Sequence, residues 1–297
     1  MITYDLIIIG MGPAGMSAAI YAKRNGLNVL ILESVMPGGL VNNSSEVDNY
    51  LGFYNTSGPD LVEKFTSHIK SLDINYKIKE VSEIINLKDI KKIITKDEEF
   101  LCKFIIIATG RSPKLLGLPN ELNLLGRGIS RCALCDGMFF KDKDVAVIGG
   151  GNSALEETLH LANICKKIYL IHRRDSLRGE NILQDRIKSK ENIEILYNSE
   201  VTKINDENEL LKSIEINHEK EINIQGMFVY IGYVPKIDFA KGLVETNEAG
   251  YIKVNGEYET STKGIYAIGD IIDKDYYQIV TAVSEGAIAA INISKKI

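Results

Sequence analysis

The chain has 297 residues, 45% of them apolar, and a formal net charge of −5. It is long enough for two domains and apolar enough for real cores, which excludes a disordered chain. The acidic balance gives no electrostatic case for nucleic acid or an anionic membrane surface, and no apolar run is long enough to cross a bilayer.

The opening MITYDLIIIG has no basic leader, and its apolar run stops at Gly10. It reads as a buried strand over residues 5–10, not a secretory signal, so the expected compartment is cytoplasmic. GMGPAG follows, with Gly10, Gly12 and Gly15 spaced around Pro13 and Ala14. Then come a small-residue helix ending near Gly26 and a second strand, NVLILE, closing on Glu33. This is the order of a dinucleotide-binding unit. The first glycine makes the tight turn, the second admits a pyrophosphate at the helix N-terminus, and the third lets helix and strand pack closely. Glu33 is placed to accept from ribose hydroxyls.

FIIIATGRSP, residues 104–113, is a strand that breaks after Ala108 at Thr109-Gly110. Residues 144–154, DVAVIGGGNSA, repeat the glycine pattern with Gly149, Gly151 and Ala154 in the fingerprint places and Asn152 and Ser153 between. A helix, LEETLHLANI, and a strand, KIYLI, follow. His172 then stands as far from Gly149 as Glu33 stands from Gly10, and it opens HRRDSLR. An acid at that point selects a free ribose hydroxyl, whereas arginine suits a 2′-phosphate through forked, charge-assisted bonds. His172, Arg173 and Arg174, joined by Arg178, therefore point to NADPH. Residues 202–225 read as a small antiparallel hairpin region without chemistry. GIYAIGD, 264–270, is a strand ending in Gly269-Asp270, and Asp270 is placed for ribityl or ribose hydroxyls. TAVSEGAIAAINI, 281–293, is a helix whose positive end suits a reduced flavin ring. Two dinucleotide units in one chain suggest a flavin and a nicotinamide exchanging hydride. The units are expected at 1–113 and 246–297 for the first and 114–245 for the second, inserted into it.

RCALCDG brings Cys132 and Cys135 within three positions, with Asp136 directly after. A metal clamp, a packing pair and a redox pair are the three readings. A structural zinc wants four ligands, but Cys102 and Cys165 and the histidines at 68, 160, 172 and 218 are scattered, so no metal is expected. Cytosolic thiols are kept reduced, which favours chemistry over a staple. A CxxC at a helix start cycles between dithiol and disulfide, and Asp136 gives or takes the accompanying proton. Cys102 and Cys165 read as small hydrophobes.

On GMGPAG, TSGPDLVEKF, IIIATGRSPKLLGLP, GRGISRCALCDG, VAVIGGGNSALEE, HRRDSLR, IGYVPK and GIYAIGD, the chain resembles the low-molecular-weight thioredoxin reductases along nearly its whole length. The resemblance implies an α/β fold of two Rossmann-like domains of the three-layer ββα type, the second inserted into the first. It implies FAD on Gly10, Gly12, Gly15, Gly38, Gly39, Asn49, Gly269, Asp270 and Gln278. It implies NADPH on Gly151, Ser153, His172, Arg173, Arg174 and Arg178, and a homodimer formed through the FAD domains. Hydride would pass from NADPH to FAD and then to the Cys132–Cys135 disulfide, with Asp136 as acid. Cys132 would next attack the disulfide of thioredoxin, and Cys135 would resolve the mixed disulfide. Alternatives are another thioredoxin-like or peroxidase partner, a flavin-dependent dithiol oxidase, and a non-enzymatic redox sensor. Departures from the family's usual strings lie at Leu40, at Asn49-Tyr50-Leu51-Gly52, at Tyr277 before Gln278, and at Ser284-Glu285-Gly286, all on the flavin side.

Overall fold

The computed structural model describes residues 3–44 and 47–297. Strand β1 (Thr3–Ile9) has a parallel neighbour on each side, so its continuous Leu6–Ile9 run is buried on both faces. Helix α1 (Pro13–Arg24) starts with proline in its first turn, where a missing N–H costs nothing, and stops at Asn25 before Gly26 at φ +82°. Strand β2 (Val29–Glu33) returns parallel to β1. Ser57 caps α2 (Gly58–Ser71) by accepting from Asp60 N at 3.2 Å.

Strand β3 (Asn75–Ile78) joins β2, and an antiparallel meander of β4 (Val81–Leu87), β5 (Ile90–Thr95) and β6 (Glu99–Ile107) follows. Strand β6 forks. Its first half pairs with β5, and its second half, lying along β1, turns to a strand from the end of the chain. Strand β7 (Arg111–Pro113) carries the chain out.

The second unit opens with β8 (Ile129–Ser130) and a one-turn helix α3 (Ala133–Asp136). It continues through β9 (Asp144–Gly149), α4 (Asn152–Leu161), β10 (Lys167–Ile171), α5 (Asn181–Lys188) and β11 (Ile193–Leu196). A three-stranded antiparallel sheet of β12 (Val201–Glu207), β13 (Leu210–Ile216) and β14 (Lys220–Asn223) occupies the region expected as a hairpin. Strand β15 (Gly226–Tyr230) completes the parallel order β11-β10-β9-β15-β8. Strand β16 (Tyr233–Pro235) pairs with β7, and the chain, returned to the first unit, ends with β17 (Ile265–Ala267) and α6 (Ile279–Ser294).

Each unit is three layers. In the first, one core lies between the sheet and α1 and α6, and the other lies under the β4–β5 meander. In the second, one core lies under α4 and α5 and the other under the β12–β14 sheet. The chain divides into Met1–Ser112 with Val234–Ile297, and Pro113–Tyr233. The return thus comes at Val234, earlier than the expected boundary at 245. The reason is packing: Ala240 and Val244 belong to the first unit's core, and Ile237, Phe239 and Leu243 pack against it. Among the described residues no helix is long and apolar enough to cross a membrane.

Candidate dinucleotide sites and redox pair

In the first glycine turn, three glycines do three different things. Gly10 sits at φ +105°, and a Cβ on it would meet Ala108 O at 2.4 Å. Gly12, the N-cap of α1, has open space where a Cβ would stand. A Cβ on Gly15 would lie 2.1 Å from Gly10 O, so helix and strand touch there through backbone alone. Glu33 folds back over the turn. Its Oε2 accepts from Met11 N at 2.7 Å and its Oε1 from Val35 N at 3.1 Å. Oε1 also accepts from the Ser34 hydroxyl at 3.3 Å, so Oε2 is the oxygen that keeps a lone pair for a ribose hydroxyl.

Other flavin-side residues converge on the same turn. Gly38 N donates to Met11 O at 2.8 Å, and Gly39 at φ +57° places its missing Cβ 3.7 Å from Gly12 Cα. Gly269 lies beside Ala14, with 2.9 Å between Ala14 Cβ and the Cβ that Gly269 lacks. Asn49 Nδ2 donates to Gln278 Oε1 at 3.3 Å, so two residues far apart in sequence meet at the start of α6. Ala108 is buried beside Gly10, Gly110 holds φ +62°, and Thr109 Oγ1 donates to Lys236 O at 3.3 Å.

Asp270 is less open than expected. It pairs with Arg111 Nε at 3.3 Å and Lys274 Nζ at 3.6 Å. Lys274 also meets the buried Glu285 at 2.9 Å, and Glu285 Oε2 accepts from Gly269 N at 2.7 Å. Burial raises the Glu285 carboxyl against the pull of Lys274. Tyr277 stacks under the Arg111 guanidinium at 4.2 Å. Arg111 and Lys274 went unnoticed in the sequence, and Glu285 stood out only as a departure on the flavin side, because their partners come from separate stretches.

The second turn repeats the plan with one change. Gly149 sits at φ +151°, with Tyr230 O 2.4 Å and Ala154 Cβ 2.8 Å from where its Cβ would be. Gly151, the N-cap of α4, is open like Gly12. Asn152 is exposed but tied down: it exchanges bonds with Glu180, Nδ2 to Oε1 at 3.0 Å and Glu180 N to Oδ1 at 2.8 Å. Ser153 is exposed. His172 is buried, 5% exposed, with its ring against Gly150, where a Cβ would stand 2.4 Å from Nδ1. Burial, then the charge of Arg178, lowers its pKa, so the imidazole is neutral at pH 7. Its Nε2 is buried without a hydrogen-bond partner among the described residues. Arg173, Arg174 and Arg178 are exposed. The cationic part of HRRDSLR is therefore its arginines, with His172 beneath them.

Cys132 and Cys135 are joined in a disulfide. Cys132 is the N-cap of α3, and its Sγ accepts from Cys135 N at 3.1 Å. The buried Ser130 hydroxyl donates to Asp136 Oδ2 at 2.6 Å, and Ser130 Oγ accepts from Cys132 N at 3.0 Å. Ala133 N donates to Tyr230 Oη at 2.8 Å. Ser130 and Tyr230 were missed in the sequence: one is an ordinary strand serine and the other lies far along the chain. Cys102 and Cys165 are buried thiols that burial pushes up to about 12 and about 11. They stay protonated and inert, as expected of small hydrophobes.

Residues 4–286 match the pyridine nucleotide-disulphide oxidoreductases. The chain is 42% identical to the thioredoxin reductase of Bacillus subtilis over 292 residues, 97% of this chain and 92% of that one. It superposes on the crystal structure of Lactococcus lactis thioredoxin reductase with a TM-score of 0.88 at 40% identity, covering 98% of each. It also superposes on T. acidophilum thioredoxin reductase with a TM-score of 0.86 at 34% identity, covering 99% of this chain and 98% of that one. By glycine turns, sulfur pair and full-length likeness, the chain belongs to the pyridine nucleotide-disulphide oxidoreductases and, among them, to the low-molecular-weight thioredoxin reductases.

Proposed function

We propose that the chain reduces the disulfide of thioredoxin, or of a thioredoxin-like protein, at the expense of NADPH, through bound FAD and the Cys132–Cys135 pair. The observation that carries this reading is the joined cysteine pair with a carboxylate bonded into the same turn. The residues fit the two cofactors. Gly12 and Gly151 leave open space at helix N-termini, where backbone amides suit a pyrophosphate. Gly10, Pro13, Ala14, Gly15, Glu33, Gly38, Gly39, Asn49, Ala108, Thr109, Gly110, Gly269, Asp270 and Gln278 would hold FAD. Gly149, Gly151, Asn152, Ser153, Ala154, Arg173, Arg174 and Arg178 would hold NADPH, with His172 supporting the arginines. Once bound, the two groups supply a two-electron path from NADPH to the sulfur pair.

The chain's own residues do the rest. Cys135 N donates to the Cys132 sulfur, which favours charge there and makes Cys132 the attacking thiolate. Asp136 sits at the end of the turn to hand a proton to the departing sulfur, and Ser130 fixes its orientation. Cys135 resolves the mixed disulfide. The enzyme would act as a homodimer in the cytoplasm, where thiols are kept reduced.

An anaerobic titration tests the reading. NADPH should bleach the flavin band far more readily than NADH, and added thioredoxin should drive NADPH consumption. A yellow protein that NADPH leaves unbleached would overturn the donor assignment.

A further inference from the structure

Ala14, in the first glycine turn, meets the last part of the chain at two points. The Cβ that Gly269 lacks would stand 2.9 Å from Ala14 Cβ, and the one that Gly286 lacks would stand 2.3 Å from Ala14 O. Helix α6 therefore packs on α1 through backbone at Gly286, and Ser17 Oγ adds a bond to Val283 O at 2.7 Å. That close approach brings Glu285, the residue before Gly286, to the Gly269–Asp270 turn. Gly269 sits at φ +76°, just past the end of β17, and its N–H donates to the buried Glu285 Oε2 at 2.7 Å.

Lys274 closes the circuit. Its Nζ donates to Glu285 Oε1 at 2.9 Å and to Oε2 at 3.1 Å, and it lies 3.6 Å from Asp270 Oδ1. Arg111 Nε stands 3.3 Å from the other Asp270 oxygen. One carboxylate thus grips the backbone of the turn, and one ammonium joins that carboxylate to the side chain of the next residue. Only 12% of the Lys274 side chain and 7% of the Glu285 side chain are exposed, so this is an interior pair and not a surface one. Removing one partner of such a pair strands the other charge. A neutral amide would satisfy the Gly269 N–H as well as a carboxylate does. What the charge adds is the hold on Lys274 and, through it, on Asp270.

We propose that Glu285 and Lys274 are positioning residues for FAD: together they set the Gly269 backbone and the Asp270 carboxylate against the start of α1 before the cofactor arrives. This rests on Gly269 and Asp270 belonging to the FAD site. Both residues act through the turn. A turn already held in its bound shape loses less freedom on binding, so the pair slows the loss of the cofactor.

Flavin release from the full-length holoenzyme, followed by the rise of free-flavin fluorescence on dilution, tests this. Lys274→Met strands the Glu285 charge and should speed release about 10-fold or more. Lys274→Met combined with Glu285→Gln strands no charge and keeps an acceptor for Gly269 N. Its release should return to within about threefold of the wild type, because the two sites are coupled. Glu285→Gln alone should fall between. Release from Lys274→Met at the wild-type rate overturns the proposal. So does a double variant as fast as Lys274→Met, since Lys274 would then act on the cofactor by itself. Hydrogen exchange at the Gly269 amide, read by mass spectrometry, reports the tie without a cofactor. It should rise about 10-fold or more in Glu285→Ala and stay at the wild-type level in Glu285→Gln. Equal exchange in the wild type and both variants overturns the tie. A wild type with a protected Gly269 amide and no uptake of FAD overturns instead the FAD reading on which the proposal rests.

Discussion

The two glycine turns are built alike at their first two positions and part at the third. In the first unit a Cβ at Gly15 would collide with Gly10 O, whereas the second unit carries a methyl at Ala154 without collision. At the strand end the two use opposite means to the same end. Glu33 ties its carboxylate back to Met11 N, while the His172 ring fills the space under Gly150. Each strand-end residue supports its own turn. What differs is the charge that continues past it: none beyond Glu33 in the first unit, three exposed arginines beyond His172 in the second. Backbone shape is thus common to both units, and what sets them apart is the charge of the residues just after the strand.

The largest effect should separate the units by chemistry, since only the second carries the joined cysteine pair. Cys132→Ser and Cys135→Ser should each lower thioredoxin-dependent NADPH consumption by about 10³-fold or more, because the nucleophile or its partner is gone. Flavin bleaching by NADPH should persist in both. Stopped-flow absorbance separates the two steps, and turnover that survives in both variants would remove the relay.

A smaller effect should appear at the third position. Gly15→Val has no room, so it should cost roughly 3 kcal/mol and release FAD. Ala154→Gly removes only a methyl from a helix start and should cost about 1 kcal/mol. Thermal denaturation with flavin counting checks both, and equal losses would dissolve the distinction.

The fold was legible wherever the signal was local. Buried strands, glycine turns and the spacing to Glu33 and His172 all repeat within a short window, and the inserted order of the units followed from them. The β4–β5 meander was not legible. Its residues 81–95 place apolar and charged side chains in adjacent pairs without a clean alternation, and their role as the third layer depends on β6, to which β5 pairs. The sulfur site was legible in Cys132, Cys135 and Asp136, because they are neighbours. Ser130 and Tyr230 were not, because a serine and a tyrosine have no signature until the fold brings them to one turn. His172 shows the converse. Its place in the motif pointed to phosphate, and burial left the charge to the arginines.

That division of labour gives the next test. Arg173→Ala with Arg174→Ala should raise the KM for NADPH about 10- to 100-fold, the worth of one or two charge-assisted bonds, and leave NADH nearly unchanged. His172→Gln should change the two cofactors alike, because it removes support and not charge. Steady-state kinetics with both donors decides. A selective loss of NADPH in His172→Gln would return the imidazole to the phosphate.

The smallest effect is a slope in pH. Burial and the neighbouring arginines hold His172 below its ordinary value. An unfolded histidine takes a proton as pH falls past about 6.5, while the native one resists. Native stability contributed by the neutral ring is therefore complete above that point and is lost as pH falls through it toward the lower folded value. The melting temperature of the wild type should accordingly drop between pH 7.5 and 5.5, and His172→Gln should flatten part of that drop. Glu33→Gln, the matching change in the first unit, should leave it in place. If both substitutions flatten the slope equally, the acid sensitivity belongs to neither strand end, and the contrast between a tied carboxylate and a buried ring fails.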